Sequence, residues 1–294
     1  YITSVFVASG SKMANIGTGA FQGCNRLSEA NFNGCTQLVT IQNQAFQDCT
    51  RLVTADFSNC TSLRTINSGA FANCMNLAAF SISNDESLYE IAANAFKGDL
   101  AIPEIVLPGS VKVVGSETFG GWTKEQIIYV LDKTDVGGFA TSTSSWCGNA
   151  TVIYTQLKWD VSVENDGSVM AYYTVPDPAQ VNNEYCIFVV GQGPIKDYNA
   201  QSDINWPGVG GGTNDIRTNV SRIIVSDGVT RIGDYAFAGF TKCKELTIGS
   251  NVESIGVAAF KDDALIPEAD LTASKANLQM IEANAFENCS GLST

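Results

Sequence analysis

Ile41-Gln42-Asn43-Gln44-Ala45-Phe46-Gln47-Asp48-Cys49-Thr50-Arg51-Leu52 decides the fold, because its framework returns in the next segment. Ile66, Ala70, Phe71, Cys74 and Leu77 repeat Ile41, Ala45, Phe46, Cys49 and Leu52 at a step of 25 residues. Ile16, Ala20, Phe21, Cys24 and Leu27 precede them on the same step, and Ile91, Ala95 and Phe96 follow. A fixed period of this length marks a solenoid, in which each repeat is one coil stacked on the next.

Each coil carries a second signal. Beginning six residues after each Phe, apolar residues recur as Leu27, Ala30, Phe32, then Leu52, Ala55, Phe57, then Leu77, Phe80, Ile82, then Ile102, Ile105, Leu107. The closing alternation is the period-two mark of a short strand. One strand per coil predicts a parallel sheet along the concave side, at about 4.8 Å per step. The segment around Ile41 to Phe46 is read as the return path. It shows no helical stripe and is rich in Gly, Asn and Ser, so turns or 3₁₀ segments are expected there. The register continues through Phe119, Phe237, Phe260 and Phe286, with steps drifting to 23 and 26 residues.

The register is lost between Ile153 and Asn219. Trp159, Trp206, the Asn165-Asp166-Gly167 turn and the run from Tyr185 to Val190 fall in this stretch. Aromatic and β-branched residues are too frequent for disorder. The expected division is therefore N-terminal repeats over 1–152, a small β-rich insert over 153–219 and C-terminal repeats over 220–294. The chain opens at Tyr1 without a Met and stops at Thr294 partway into another repeat, so it is read as a segment of something longer.

Composition narrows function. The formal net charge is −13, which opposes binding to nucleic acid or anionic lipid. No apolar run approaches the roughly 18 residues of a membrane span. Nine cysteines and no histidine are present; Cys24, Cys35, Cys49, Cys60 and Cys74 alternate at spacings of 11 and 14, and there is no C-x-x-C pair. Metal sites want close pairs, and histidine is the commonest general base. No metal, cofactor or catalytic residue is expected, and no G-x-S-x-G, Walker loop or H-E-x-x-H motif occurs. Stacked cysteines fit buried thiols, with disulfides between coils as the alternative.

The phrases Val229-Thr230-Arg231-Ile232-Gly233-Asp234-Tyr235-Ala236-Phe237 and Ile281-Glu282-Ala283-Asn284-Ala285-Phe286-Glu287-Asn288-Cys289-Ser290-Gly291-Leu292 resemble the BspA-like leucine-rich repeats of bacterial surface proteins. Trp122 and Phe240 depart from the pattern where Cys is usual, as do Lys97-Gly98-Asp99 and Lys261-Asp262-Asp263. The resemblance implies a leucine-rich-repeat solenoid, a secreted or cell-surface location and adhesion to host matrix or cell-surface proteins, without enzymatic activity.

Residues between the core positions of each strand face outward. The expected binding row on the concave face is Glu29, Asn31, Thr54, Asp56, Ser81, Glu104, Tyr129, Glu245, Thr247, Glu268 and Asp270. A protein partner on this row is the leading expectation. Glycan binding through insert aromatics such as Trp206 and Tyr198 is the alternative.

Overall fold

The computed structural model describes residues 2–82, 87–132, 146–174, 185–204, 215–267, 269–271, 274 and 276–292. Side chains at 156, 157, 269 and 270 lie outside the description. The chain divides into two compact units, Tyr1–Tyr154 and Thr155–Thr294.

In the first unit, strands β1 (Ser4–Phe6), β3 (Glu29–Asn31), β5 (Thr54–Phe57) and β7 (Ala79–Ile82) form a parallel sheet. Its register is the sequence period itself: Ser4 faces Glu29, Glu29 faces Thr54 and Thr54 faces Ala79. A separate ladder pairs β9 (Glu104–Leu107) with β11 (Ile127–Val130), and β11 with the start of β12 (Thr151–Asp160). Pro103 offers one reason for the break between β7 and β9. It sits where Val53 and Ala78 precede their strands, and proline has no N–H to give the preceding coil.

The return path is built of turns, as expected, and it also contains a second parallel ladder of two-residue strands: β2 (Asn15–Ile16), β4 (Thr40–Ile41), β6 (Thr65–Ile66), β8 (Glu90–Ile91) and β10 (Val113–Val114). The 3₁₀ helices among the described residues lie elsewhere, at Gln201–Asp203 and Ile216–Thr218. Even the turns are laddered, since the Phe21, Phe46 and Phe71 amides donate to Ala45, Ala70 and Ala95 carbonyls at 2.7–2.8 Å. One turn position is left-handed in coil after coil, occupied by Gly23, Asp48, Asn73 and Gly98 at φ of 60–81°. Gly pays no Cβ penalty there, and Asn and Asp tolerate it best among the rest. This explains the Gly and Asn of the return path.

The core is a set of aromatic columns. Phe21, Phe46, Phe71, Phe96 and Phe119 stack in sequence, with ring centroids 4.9, 5.0, 5.4 and 5.5 Å apart. Phe32 and Phe57 start a second column that meets the first edge-on. Such pairs add about 0.5–1.5 kcal/mol each beyond area burial.

In the second unit β12 continues antiparallel to β13 (Val169–Thr174), across the turn where Asn165 and Gly167 take positive φ. β13 then pairs antiparallel with β14 (Tyr185–Gly191), the run that reads as strand in the sequence. From β14 onward pairing is parallel again, through β16 (Val220–Val225), β18 (Glu245–Ile248) and β20 (Ala269–Asp270). A second ladder joins β15 (Gly193–Pro194), β17 (Val229–Ile232), β19 (Ser254–Ile255) and β21 (Met280–Ile281). Residues around 185–194 therefore already follow the coil pattern. Phe237, Phe260 and Phe286 stack at 5.3 and 5.2 Å.

All nine cysteines are free thiols, seven of them buried. Their role in the coil is directional. Cys49 Sγ donates to the Phe21 carbonyl at 3.0 Å, Cys74 Sγ to Phe46 at 3.1 Å and Cys289 Sγ to Phe260 at 3.0 Å. Each thiol ties its coil to the Phe one coil earlier. Trp122 replaces the thiol without losing the bond: its Nε1–H donates to the Phe96 carbonyl at 3.2 Å.

Candidate functional site: the long-strand face

Alternation along β3, β5 and β7 sends Ala30, Ala55 and Phe57 inward and leaves Glu29, Asn31, Thr54, Asp56, Ala79 and Ser81 outward. These six outward residues line one hollow of about 250 Å³. The hollow exists because Ala79 and Ser81 are short beside the longer Glu29, Asn31 and Asp56 on the neighbouring strands. The sequence reading named five of the six as binding residues, and the fold brings these five together.

The hollow is rich in acceptors. Asp56 is oriented by its surroundings: Oδ1 accepts from the Ser58 amide at 2.9 Å, and Oδ2 accepts from Asn33 Nδ2 at 3.3 Å. Asn59 Nδ2 in turn donates to Asn33 Oδ1 at 3.1 Å. The Asn31 carbonyl oxygen of the side chain accepts from the Asn33 amide at 3.0 Å. Among the described residues no Lys or Arg forms an ion pair with Glu29 or Asp56. No Lys or Arg occupies an outward position on β1, β3, β5, β7, β9 or β11.

The remaining expected residues are placed apart from the hollow. Glu104 stands half-buried on β9, in the separate ladder. Tyr129 is only 3% exposed, so alternation misplaces it as a surface group. Glu245 and Thr247 are exposed on β18 of the second unit, where Glu245 Oε1 lies 2.7 Å from Arg222 Nε in an ion pair. Glu268 and the Asp270 side chain lie outside the described residues, as does Trp206. Tyr198 is 7% exposed and packs in the core of the second unit.

No group of His, Cys, Asp or Glu among the described residues is arranged to hold a metal ion. Titration is perturbed mainly in the interior. Burial pushes Asp99 and Asp263 well above the usual carboxylate range, and raises the Cys243 thiol to about 12. Arg231 pairs with Asp197 one coil before it, with Asp234 of its own coil and with Glu282 two coils after it, which is a structural use of charge.

Comparison with known proteins adds to this geometry. No curated protein matches the chain in sequence. Among solved structures, the pneumococcal vaccine antigen PcpA is 19% identical at a TM-score of 0.41, with 99% of this chain and 61% of that chain covered. The chain thus spans about three-fifths of that protein. The leucine-rich repeat protein TpLRR of T. pallidum is 18% identical at a TM-score of 0.39, covering 95% of this chain and 85% of that one. One from Bacteroides ovatus is 17% identical at 0.35, covering 95% and 81%. The sequence profile described as "BspA type Leucine rich repeat region" matches six copies over residues 2–126 and 216–294. With most of its length in those copies, the chain belongs to the BspA-type leucine-rich repeat family, whose members point to a protein-interaction role.

Proposed function

We propose that this chain is the recognition segment of a bacterial surface or secreted adhesin, and that it holds a host-matrix or cell-surface protein on the long-strand face of its first unit. The observation that carries the reading is the hollow lined by Glu29, Asn31, Thr54, Asp56, Ala79 and Ser81, on a face whose outward row has no cation. Repeat solenoids bind through extended faces because the inner positions of each coil are committed to stacking. Carboxylates such as Glu29 and Asp56, which form no ion pair with a described Lys or Arg, favour basic partners and speed their encounter.

The test is binding of the purified chain to immobilised matrix and cell-surface proteins by surface plasmon resonance. The comparison is the triple variant Glu29→Ala, Asp56→Ala, Glu104→Ala. At least one basic partner should bind the wild type, and the variant should bind it about tenfold or more weakly, as each close interfacial charge pair is worth about 1.5 kcal/mol or more. The melting curve should stay in place. Unchanged affinity in a folded variant removes this face from the interaction.

A further inference from the structure

The short-strand ladder of the first unit carries a cationic row that the long-strand face lacks. Ala14, Val39, Arg64, Tyr89 and Lys112 each stand one residue before a short strand, at steps of 25, 25, 25 and 23 residues. Backbone bonds join them coil to coil. The Val39, Arg64, Tyr89 and Lys112 amides donate to the Ala14, Val39, Arg64 and Tyr89 carbonyls at 2.8–2.9 Å. The row is therefore continuous, one residue per coil, at about 4.8 Å per step. Its neighbours Leu38, Leu63, Leu88 and Val111 are buried in the core, while Arg64, Tyr89 and Lys112 are exposed.

Two cations thus fall within three consecutive coils of a chain that holds 17 Lys and Arg against 30 Asp and Glu. Among the described residues neither Arg64 nor Lys112 forms an ion pair. Arg64 lies over the Tyr89 ring instead, 5.4 Å from its centroid. That contact holds the guanidinium by its face and leaves its N–H edge for a ligand. Lys112 Nζ donates to the Gly109 carbonyl at 3.1 Å, which uses one of its three donors. Glu90, the acid next to Tyr89 in sequence, is half-buried on β8 and pairs with neither cation.

Spacing selects the occupant. The two cations stand two steps apart, about 10 Å, with a phenol between them. An extended acidic peptide repeats its side chains on one face every 6.8 Å or about that, and so falls out of step with them. In an extended polysaccharide one pyranose advances the chain by about one step of the ladder. A polysaccharide whose acidic and neutral sugars alternate sets its anions two steps apart, and its neutral sugar then meets Tyr89. The phenol offers an apolar ring and a hydroxyl to the mixed C–H and O–H surface of that sugar. The net charge of −13 repels a polyanion at long range, but at about 0.15 M salt charges beyond about 8 Å are largely screened and the contacts on the row decide.

We infer that Arg64, Tyr89 and Lys112 form a second binding row, for a linear anionic polysaccharide in which acidic and neutral sugars alternate. The row does not depend on the long-strand face being protein-binding.

Surface plasmon resonance of the intact chain over immobilised hyaluronan and unsulfated chondroitin, at about 0.15 M salt, tests it. Dextran supplies a neutral polysaccharide and poly-glutamate an acidic peptide. The variants are Arg64→Gln with Lys112→Gln, Lys112→Gln alone, and Arg51→Gln with Lys124→Gln, which removes the same charge from exposed positions off the row. At least one of the two anionic polysaccharides should bind, with dextran silent and poly-glutamate about tenfold weaker or less. The row double variant should bind at least about tenfold more weakly, as each hydrogen bond to a charged group is worth about 1.5 kcal/mol or more. The off-row double variant should bind as wild type does. Lys112→Gln leaves the Arg64–Tyr89 contact in place, so its loss of affinity decides the matter even where the double variant melts early. No binding to either polysaccharide overturns the row, as do equal binding to dextran, equal or tighter binding to poly-glutamate, and equal losses on and off the row.

Discussion

Two coils place a carboxyl where Cys49, Cys74 and Cys289 place a thiol, and this should make the protein less stable as pH rises above the usual carboxylate range. The position three residues after the Phe normally donates a proton to the Phe carbonyl one coil earlier, through Cys49, Cys74, Trp122 or Cys289. Asp99 and Asp263 stand at that position, both 0% exposed. One oxygen of each is used: Asp99 Oδ1 accepts from the Cys74 amide at 2.8 Å and Asp263 Oδ1 from the Phe240 amide at 2.7 Å. The second oxygen of each is enclosed without a partner. A carboxylate oxygen buried without a donor is costly, whereas a protonated one becomes a donor like the thiol it replaces. Desolvation raises both groups well above the usual carboxylate range, and the amide bonds offset it only partly. The ionisable groups that face them reinforce the neutral form or leave it alone: the Cys74 thiol at Asp99, and the Asp262 carboxylate with the Cys243 and Cys289 thiols at Asp263.

The sign follows from linkage. The folded state holds a proton that the unfolded chain releases above about pH 3.9. The stabilisation is fully present below that pH and is lost as pH rises toward the native value. Each buried Asp contributes a slope of about −1.4 kcal/mol per pH unit over the range in which the fold holds the proton and the unfolded chain has released it. Asp99→Asn and Asp263→Asn remove the titration and keep both an acceptor and an N–H donor. Urea unfolding followed by Trp fluorescence, at about pH 4, 5, 6 and 7, gives the difference between variant and wild type free of the shared background of other carboxylates. Near pH 4 the two should agree closely, and by pH 7 each Asn variant should be the more stable. Parallel pH slopes in wild type and variant, or an Asn variant weaker at pH 7, would refute the neutral-donor assignment.

Other outcomes follow from the same interior. Phe71→Ala removes stacking on Phe46 and Phe96 and edge contacts with Phe57 and Phe80; it should cost about 3–5 kcal/mol, and limited proteolysis should cut near that coil before the second unit yields. Uniform cleavage across both units would count against nearest-neighbour stacking. Trp122→Phe keeps an aromatic ring but leaves the Phe96 carbonyl without its indole donor; urea unfolding should show a loss of about 1–3 kcal/mol, and no loss would mean that the bond is dispensable. Intact mass after alkylation in denaturant without reductant should show nine modified thiols; brief alkylation of the folded chain should favour the partly exposed Cys24 and Cys147. Fewer than nine in denaturant would reveal disulfides.

The solenoid is readable in the sequence because its core positions repeat one residue at a time. Phe46 fixes where Phe71 must sit, and Cys49 fixes Cys74, so periodicity and packing are the same information. The second ladder is harder to read. Two-residue strands such as Thr40–Ile41 give one inward and one outward position, too few to show alternation against a background of turns. The parallel pairing of β14 and β15 is hidden for a related reason, since that coil lacks the Ala-Phe pair and carries Gly191-Gln192-Gly193 instead. Which residues face outward was legible in part. Alternation places Glu29, Asn31, Thr54 and Asp56 on the outward face, as the structure does, because β3 and β5 have one solvated face. It fails at Tyr129 because β11 is covered on the outward side too, and only a three-dimensional neighbour reveals that.

The thiol position explains why such a fold can separate stability from recognition. What that position must supply is a buried hydrogen for the preceding Phe carbonyl, and Cys74 and Trp122 meet the need with different chemistry. Each coil therefore satisfies its backbone by ties to its neighbours rather than by its surface. Apart from Asn31 and Asp56, whose side chains accept from the Asn33 and Ser58 amides, the outward row of β3, β5 and β7 takes little part in these ties. Glu29, Thr54 and Ala79 can thus occupy one register position in consecutive coils, a carboxylate, a hydroxyl and a methyl, at little cost to the stack. That freedom is what allows a hollow to form in an otherwise regular sheet.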